Sequence, residues 1–146
     1  MTYWICITNS DNWEVIKKEN VWGTSDAHRN TISRVKPGDK LVIYGIQEKT
    51  VDGRILEPRI YGIFEVVSNV YRDGKRIFKS KSGETFPNRI RVKPIRVPDK
   101  PLEFKPLIDK MEFIKNKKKW NTHLFGRAMR EIPEKDYRSI EAMLSE

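Results

Sequence analysis

Short apolar runs, separated by polar and turn-forming stretches, set the pattern of this chain. Tyr3-Trp4-Ile5-Cys6-Ile7 is apolar, aromatic and β-branched, which predicts a buried first strand. Asn9-Ser10-Asp11-Asn12 offers N-cap chemistry for a short helix running to about Glu19. Lys36-Pro37-Gly38-Asp39 predicts a turn: proline presets the first central position and glycine accepts positive φ at the second. It feeds a second strand, Leu41-Val42-Ile43-Tyr44. Residues 47–58 are polar and read as a loop, followed by a third strand over residues 60–67 with a glycine inside it.

Tyr71-Arg72-Asp73-Gly74-Lys75 predicts a hairpin turn through Asp-Gly. A further strand is expected from Phe86 to Lys93, with Arg89, Arg91 and Lys93 on one face and Ile90 and Val92 on the other. Residues 107–114 have helical spacing, and a basic run from Lys115 to Lys119 follows, closed by Trp120. Pro133 opens a last helix whose Tyr137, Ile140, Met143 and Leu144 form one apolar stripe. No repeat, low-complexity stretch or linker interrupts this order. The expectation is one α+β domain over residues 1–146: a strongly curved mixed sheet or small barrel flanked by short helices.

Charge changes the picture more than composition does. The net charge is +9, but residues 1–71 hold nine basic and nine acidic side chains. Residues 72–130 hold 18 basic and 6 acidic, a net +12, and residues 131–146 are net −3. Gathered on one face, the middle stretch is an electrostatic footprint for phosphate; spread out, it is a solvated lysine-rich surface. The single cysteine, Cys6, excludes a disulfide framework and suits a reducing interior. With no membrane-length apolar run and no leader pattern at Met1, the expected location is cytoplasmic.

Candidate chemistry follows from these patterns. His28, His123 and Cys6 have no metal-ligand spacing, so no metal or cofactor is expected. No phosphate-binding loop or dinucleotide fingerprint is present. Trp22, beside Gly23 and Thr24 at an expected turn, offers a flat surface for a nucleobase, against the alternative of a rim tryptophan packed half into the core. Asn12 offers an amide for a base edge, and Phe86 with Pro87 closes the pocket from the other side; Thr8 and Asn88 complete the candidate set. Lys117, Lys118, Lys119, Arg127, Arg130 and Arg89 are the candidate phosphate contacts. Two rival classes remain: an RNA-cleaving enzyme using His28 and His123 as acid and base, and an interaction module binding a small molecule or nucleotide.

Several segments, in order along nearly the whole chain, resemble the EVE domain. They include Val21-Trp22-Gly23, residues 34–44, Gly62-Ile63-Phe64-Glu65-Val66, Phe86-Pro87-Asn88-Arg89-Ile90, residues 113–117 and 126–132. The family is PUA-like and similar to the YTH domain, a reader of N6-methyladenine in RNA. The resemblance implies a PUA-like barrel and a binding module, not an enzyme, that recognises a modified base flipped into an aromatic pocket. Trp22 matches the YTH tryptophan that stacks on the base, Asn12 a polar residue that meets the ring, Gly23 a backbone carbonyl acceptor, and Arg127 an arginine that meets phosphate. The acidic residue after that arginine is Ala128 here, and the second cage tryptophan has no equivalent, with Phe86 or Phe78 as substitutes. The implied partner is nucleic acid, RNA favoured and modified-cytosine DNA the alternative; the sequence leaves the oligomeric state open, with a monomer favoured.

Overall fold

The computed structural model describes residues 1–124 and 126–145. In chain order the elements are β1 (Tyr3–Thr8), α1 (Ser10–Glu19), β2 (Val21–Thr24), α2 (Arg29–Ile32), β3 (Lys40–Gly45), β4 (Glu48–Lys49), β5 (Ile55–Leu56), β6 (Arg59–Val66), β7 (Tyr71–Arg72), β8 (Asn88–Arg96), β9 (Leu102–Glu103), β10 (Met129–Ile132) and α3 (Glu134–Leu144). Short 3-10 turns cover Asp26–His28, Lys105–Lys110 and Trp120–His123. One eight-stranded sheet runs β10-β1-β3-β6-β8-β2, with β7 added to β8 and β9 to β6. Only β1 and β3 pair in parallel among its pairs; their crossover carries α1, β2 and α2.

The curled sheet is buried on both faces, which is why its central strands read as unbroken apolar runs. Tyr3, Ile5, Val42 and Tyr44 face one cluster, completed by Phe104, Phe113 and the α3 residues Tyr137, Ile140 and Leu144. Trp4, Cys6, Leu41 and Ile43 face the other, completed by Trp13 and Ile16 of α1, Ile32 of α2, and Ile90 and Val92 of β8. The period of two along each strand sorts the side chains between the two cores.

Local chemistry fixes the ends of these elements. The Asn9 side chain accepts from the Asn12 N–H to cap α1, and Asn20 closes it in the left-handed region at φ 55°. Trp13 of α1 stacks on Tyr61 at 4.6 Å between centroids. In the turn before β3, Gly38 has φ 94°, and the buried Asp39 carboxylate accepts from Trp4 Nε1 (3.1 Å), Thr2 N (3.0 Å) and Lys36 N (3.0 Å). At the opposite core, the Asp136 carboxylate accepts from the N–H groups of Glu112 and Phe113 at 2.8 and 2.9 Å, tying α3 to the preceding loop.

Several expectations need correction. Residues 21–24 are a strand on β8, so Trp22 does not sit in a turn. The polar 47–58 stretch carries the small hairpin β4–β5, whose turn is closed by Thr50 N–H to Arg54 carbonyl (2.8 Å) and Gly53 N–H to Thr50 carbonyl (3.0 Å). Asp73-Gly74 is not a tight hairpin turn: β7 pairs with β8, Tyr71 opposite Arg89, leaving residues 73–87 as a long loop between them. The 107–114 stretch holds only the end of a 3-10 segment with Pro106 in its first turn, terminated at Met111.

Candidate nucleic-acid interface

The strand path ends in β10 on one side and β2 on the other, and these two strands do not pair. A cavity of about 440 Å³ lies where they fail to meet. Residues 22–25 of β2 and its extension form one wall; Ile7, Thr8 and residues 126–128 form the facing wall. The 73–87 loop supplies Phe78, Ser80, Glu84 and Phe86, and His28 adds an imidazole.

Trp22 lines this cavity yet is only 4% exposed, packed among Val21, Phe78 and Ile90. Its indole is thus a core side chain with one boundary on the cavity, which corrects the expectation of an open stacking surface. Trp22 Nε1 and, two residues on, Thr24 Oγ1 are both buried and have no hydrogen-bond partner among the described residues. Such groups ordinarily cost stability in proportion to their lost hydration.

Gly23 is where the aromatic wall approaches the strand. A Cβ built there stands 2.9 Å from the Phe78 ring and 3.0 Å from the Phe86 carbonyl oxygen, so only glycine fits without displacing them. Phe78 and Phe86 meet edge to face at 5.8 Å. Phe86 itself sits at φ 52°, a strained conformation for a bulky residue, held in place by its neighbours.

The structure gives Asn12 a different task from the one expected. Its Oδ1 accepts from Lys79 N–H at 2.8 Å and its Nδ2 donates to the Lys79 carbonyl at 2.9 Å. The amide braces the 73–87 loop and has both main functions occupied. Asn12 still lines the cavity, whereas Pro87 and Asn88 lie outside it. Pro87 borders a separate depression beside Asp26 and Arg72. Asn88 donates to the Asp26 carboxylate (3.0 Å) and the Thr24 carbonyl (3.4 Å). Hydrogen bonds from Arg72 and Asn88 hold the Asp26 carboxyl well below the usual carboxylate range.

The candidate cations separate into two groups. Arg127 lines the cavity, is exposed, and makes no side-chain hydrogen bond or ion pair among the described residues. Lys118 and Lys119 are exposed as well. Lys117, in contrast, donates its ammonium to the carbonyls of Ile108 (3.0 Å) and Met111 (2.6 Å). Arg130 is half-buried over the Phe113 ring at 5.1 Å and donates to the His123 carbonyl at 3.2 Å; burial, with the nearby charge of Arg127, lowers its pKa.

Arg89 is a correction. Strand alternation placed it with Arg91 and Lys93, but it is 2% exposed. The 73–87 loop folds over it, and its guanidinium donates to the carbonyls of Lys75, Thr85 (2.9 Å) and Phe86 (3.1 Å), with Asp73 at 3.5 Å. It organises the loop that carries Phe78 and Phe86 and has no access to a phosphate.

The histidine pair is not assembled as an acid–base reading requires. His28 borders the cavity, whereas His123 does not line it, and its Nε2 accepts from Asn116 N–H at 3.2 Å. No group of three or more potential metal ligands occurs among the described residues, and burial pushes the Cys6 thiol well up. No helix among them is long and apolar enough to cross a membrane.

The EVE domain family model matches residues 2–143. A UPF0310 protein of Pyrococcus horikoshii is 60% identical over 146 residues, covering 99% of each chain. Human THYN1, solved in complex with 5-methylcytosine-containing DNA, superposes with a TM-score of 0.66 at 13% identity, covering 100% of this chain and 99% of that one. The mmi1 YTH domain-containing protein, solved with RNA, gives 0.64 at 15% identity, covering 98% of this chain and 80% of that one. These two likenesses establish the shared fold, including its curled PUA-like sheet. Matched along almost its whole length, this chain belongs to the EVE domain family.

Proposed function

We propose that the protein binds nucleic acid, RNA first, and recognises one modified base extruded into the cavity between β2 and β10. The observation that carries this reading is the cavity itself. It is lined by the aromatic residues Trp22, Phe78 and Phe86 and by the exposed Arg127, which makes no side-chain hydrogen bond or ion pair among the described residues. Its volume of about 440 Å³ falls within the roughly 300–1,000 Å³ common for small-ligand pockets. The solved complexes of human THYN1 with DNA and mmi1 with RNA support the partner class.

In this reading the base packs against the small part of Trp22 that bounds the cavity, beside Phe86. The Gly23 backbone meets the base edge, with Thr8 beside it. Arg127 neutralises the adjoining phosphate, and Lys118 and Lys119 extend the cationic track. Lys79 and Lys81, exposed and alternating with lining residues on the 73–87 loop, add positive charge to that loop. The module acts by binding, without a chemical step.

A second reading keeps the same pocket and takes modified cytosine in DNA; the 5-methylcytosine DNA in the THYN1 complex favours it. Titrating the protein with strands of RNA and DNA, each carrying N6-methyladenine or 5-methylcytosine against its unmodified control, separates the two. A preference for a modified strand supports the reading and names the ligand. Equal affinity for every strand counts against a base pocket.

A further inference from the structure

A second cavity of about 480 Å³ adjoins the first. The two share Ile7, Ile46, Gly126 and Arg127, so they are compartments of one groove with Arg127 at their junction. Trp120, Tyr44, Gln47 and Asn121 line the new compartment.

Its aromatic wall is built to stay in place. Tyr44 packs edge to face on Phe104 at 5.0 Å, and Phe104 meets Trp120 at 5.8 Å. Tyr44 and Phe104 are buried, while Trp120 is half-buried, with part of its indole left to the cavity. Burial pushes the Tyr44 hydroxyl pKa far up. The basic run 115–119 leads into Trp120. An aromatic fixed from behind, a polar rim and adjacent cations make a stacking site for a nucleobase. Charge alone would not need the aromatic wall, and an apolar ligand would not need Arg127.

We propose that this compartment holds the base of the nucleotide adjoining the extruded one, stacked on Trp120, with the phosphodiester between them on Arg127. This rests on the base-reading assignment of the first cavity. The unit recognised is then a dinucleotide step of an opened strand, one base per compartment, rather than an isolated nucleoside.

The test uses the full chain and a short single strand carrying one N6-methyladenine, with a parallel 5-methylcytosine strand. Versions with an abasic site on the 5′ or the 3′ side of the modified base remove one neighbour each. Loss of one neighbour, and not the other, should weaken binding about 5- to 150-fold, the range that one stacked base supplies. Trp120→Ala should weaken the intact strand similarly and be indifferent to that abasic site. Asn121→Glu, at an exposed position in this compartment alone, should weaken the intact strand while leaving the fold unaltered. The proposal is overturned if neither abasic site matters, or if the abasic effect persists unchanged in both variants. If modified and unmodified strands bind alike, or no strand binds, the base-reading assignment itself fails, and this inference with it.

Discussion

Asn12 of α1 and Lys79 of the 73–87 loop are joined by two hydrogen bonds, one in each direction between the side-chain amide and the Lys79 peptide. The residues are 67 positions apart, yet the amide completes the loop as a neighbouring strand would. The loop brings Phe78 and Phe86 to the cavity, so its order sets the shape of the pocket.

Replacing that amide tests the brace. Asn12→Ala should cost about 1–3 kcal/mol in denaturant unfolding. It should also raise amide exchange specifically within residues 73–87. Unchanged protection of the loop would show that something else holds it.

Trp22 must be tested with care because it is buried. Trp22→Ala should destabilise the fold by about 3–5 kcal/mol, as large-to-small core replacements do. Trp22→Phe keeps an apolar ring and should preserve the fold while weakening binding of the modified strand. A Trp22→Phe variant that binds as wild type would remove Trp22 from the recognition surface.

Arg89 and the exposed lysines should behave oppositely. Arg89→Ala leaves three loop carbonyls without their donor and should lower stability by about 1–3 kcal/mol or more. The salt dependence of binding should stay unchanged in the fraction that remains folded. Lys118→Gln and Lys119→Gln should leave stability within about 0.5 kcal/mol. Each should reduce the log–log salt slope by about 0.7 on a single strand if it contacts one phosphate. Salt-titrated binding with parallel melts separates the two behaviours.

Acid should loosen the Asp26 junction. Hydrogen bonds from Arg72 and Asn88 hold the folded-state carboxyl below its ordinary value of 3.8. Folding is therefore favoured by this group above that ordinary value, and the contribution is lost as pH falls through the lower folded-state value. Wild type should lose thermal stability below about pH 4, and Asp26→Asn should show a shallower decline over the same window. Parallel stability curves would contradict the pairing.

The central strands were legible because their side chains alternate between two cores, and α3 because Tyr137, Ile140 and Leu144 recur at helical spacing. The cavity was only partly legible. Trp22 and Gly23 stood out beside an expected turn, Arg127 stood out only as one candidate cation, and the EVE resemblance joined them. The 73–87 loop has no periodicity, so nothing in it announced that Phe78 would reach Gly23 or that its carbonyls would capture Arg89. Strand alternation alone exposes Arg89; the long-range loop overrides it. Asn12 carried the same ambiguity, since an amide suits a base edge and a peptide group equally well. Tyr44 and Trp120 lie 76 positions apart, and only the Phe104 ring between them makes one wall of them.

The most direct measurement is the affinity of wild type and Trp22→Phe for RNA and DNA strands bearing one modified base, each against its unmodified control, at two salt concentrations. The account predicts a preference for one modification that is reduced in Trp22→Phe, on top of a salt-sensitive background common to all strands. Equal, salt-sensitive binding of every strand by both proteins would contradict it, leaving a basic surface without a base pocket.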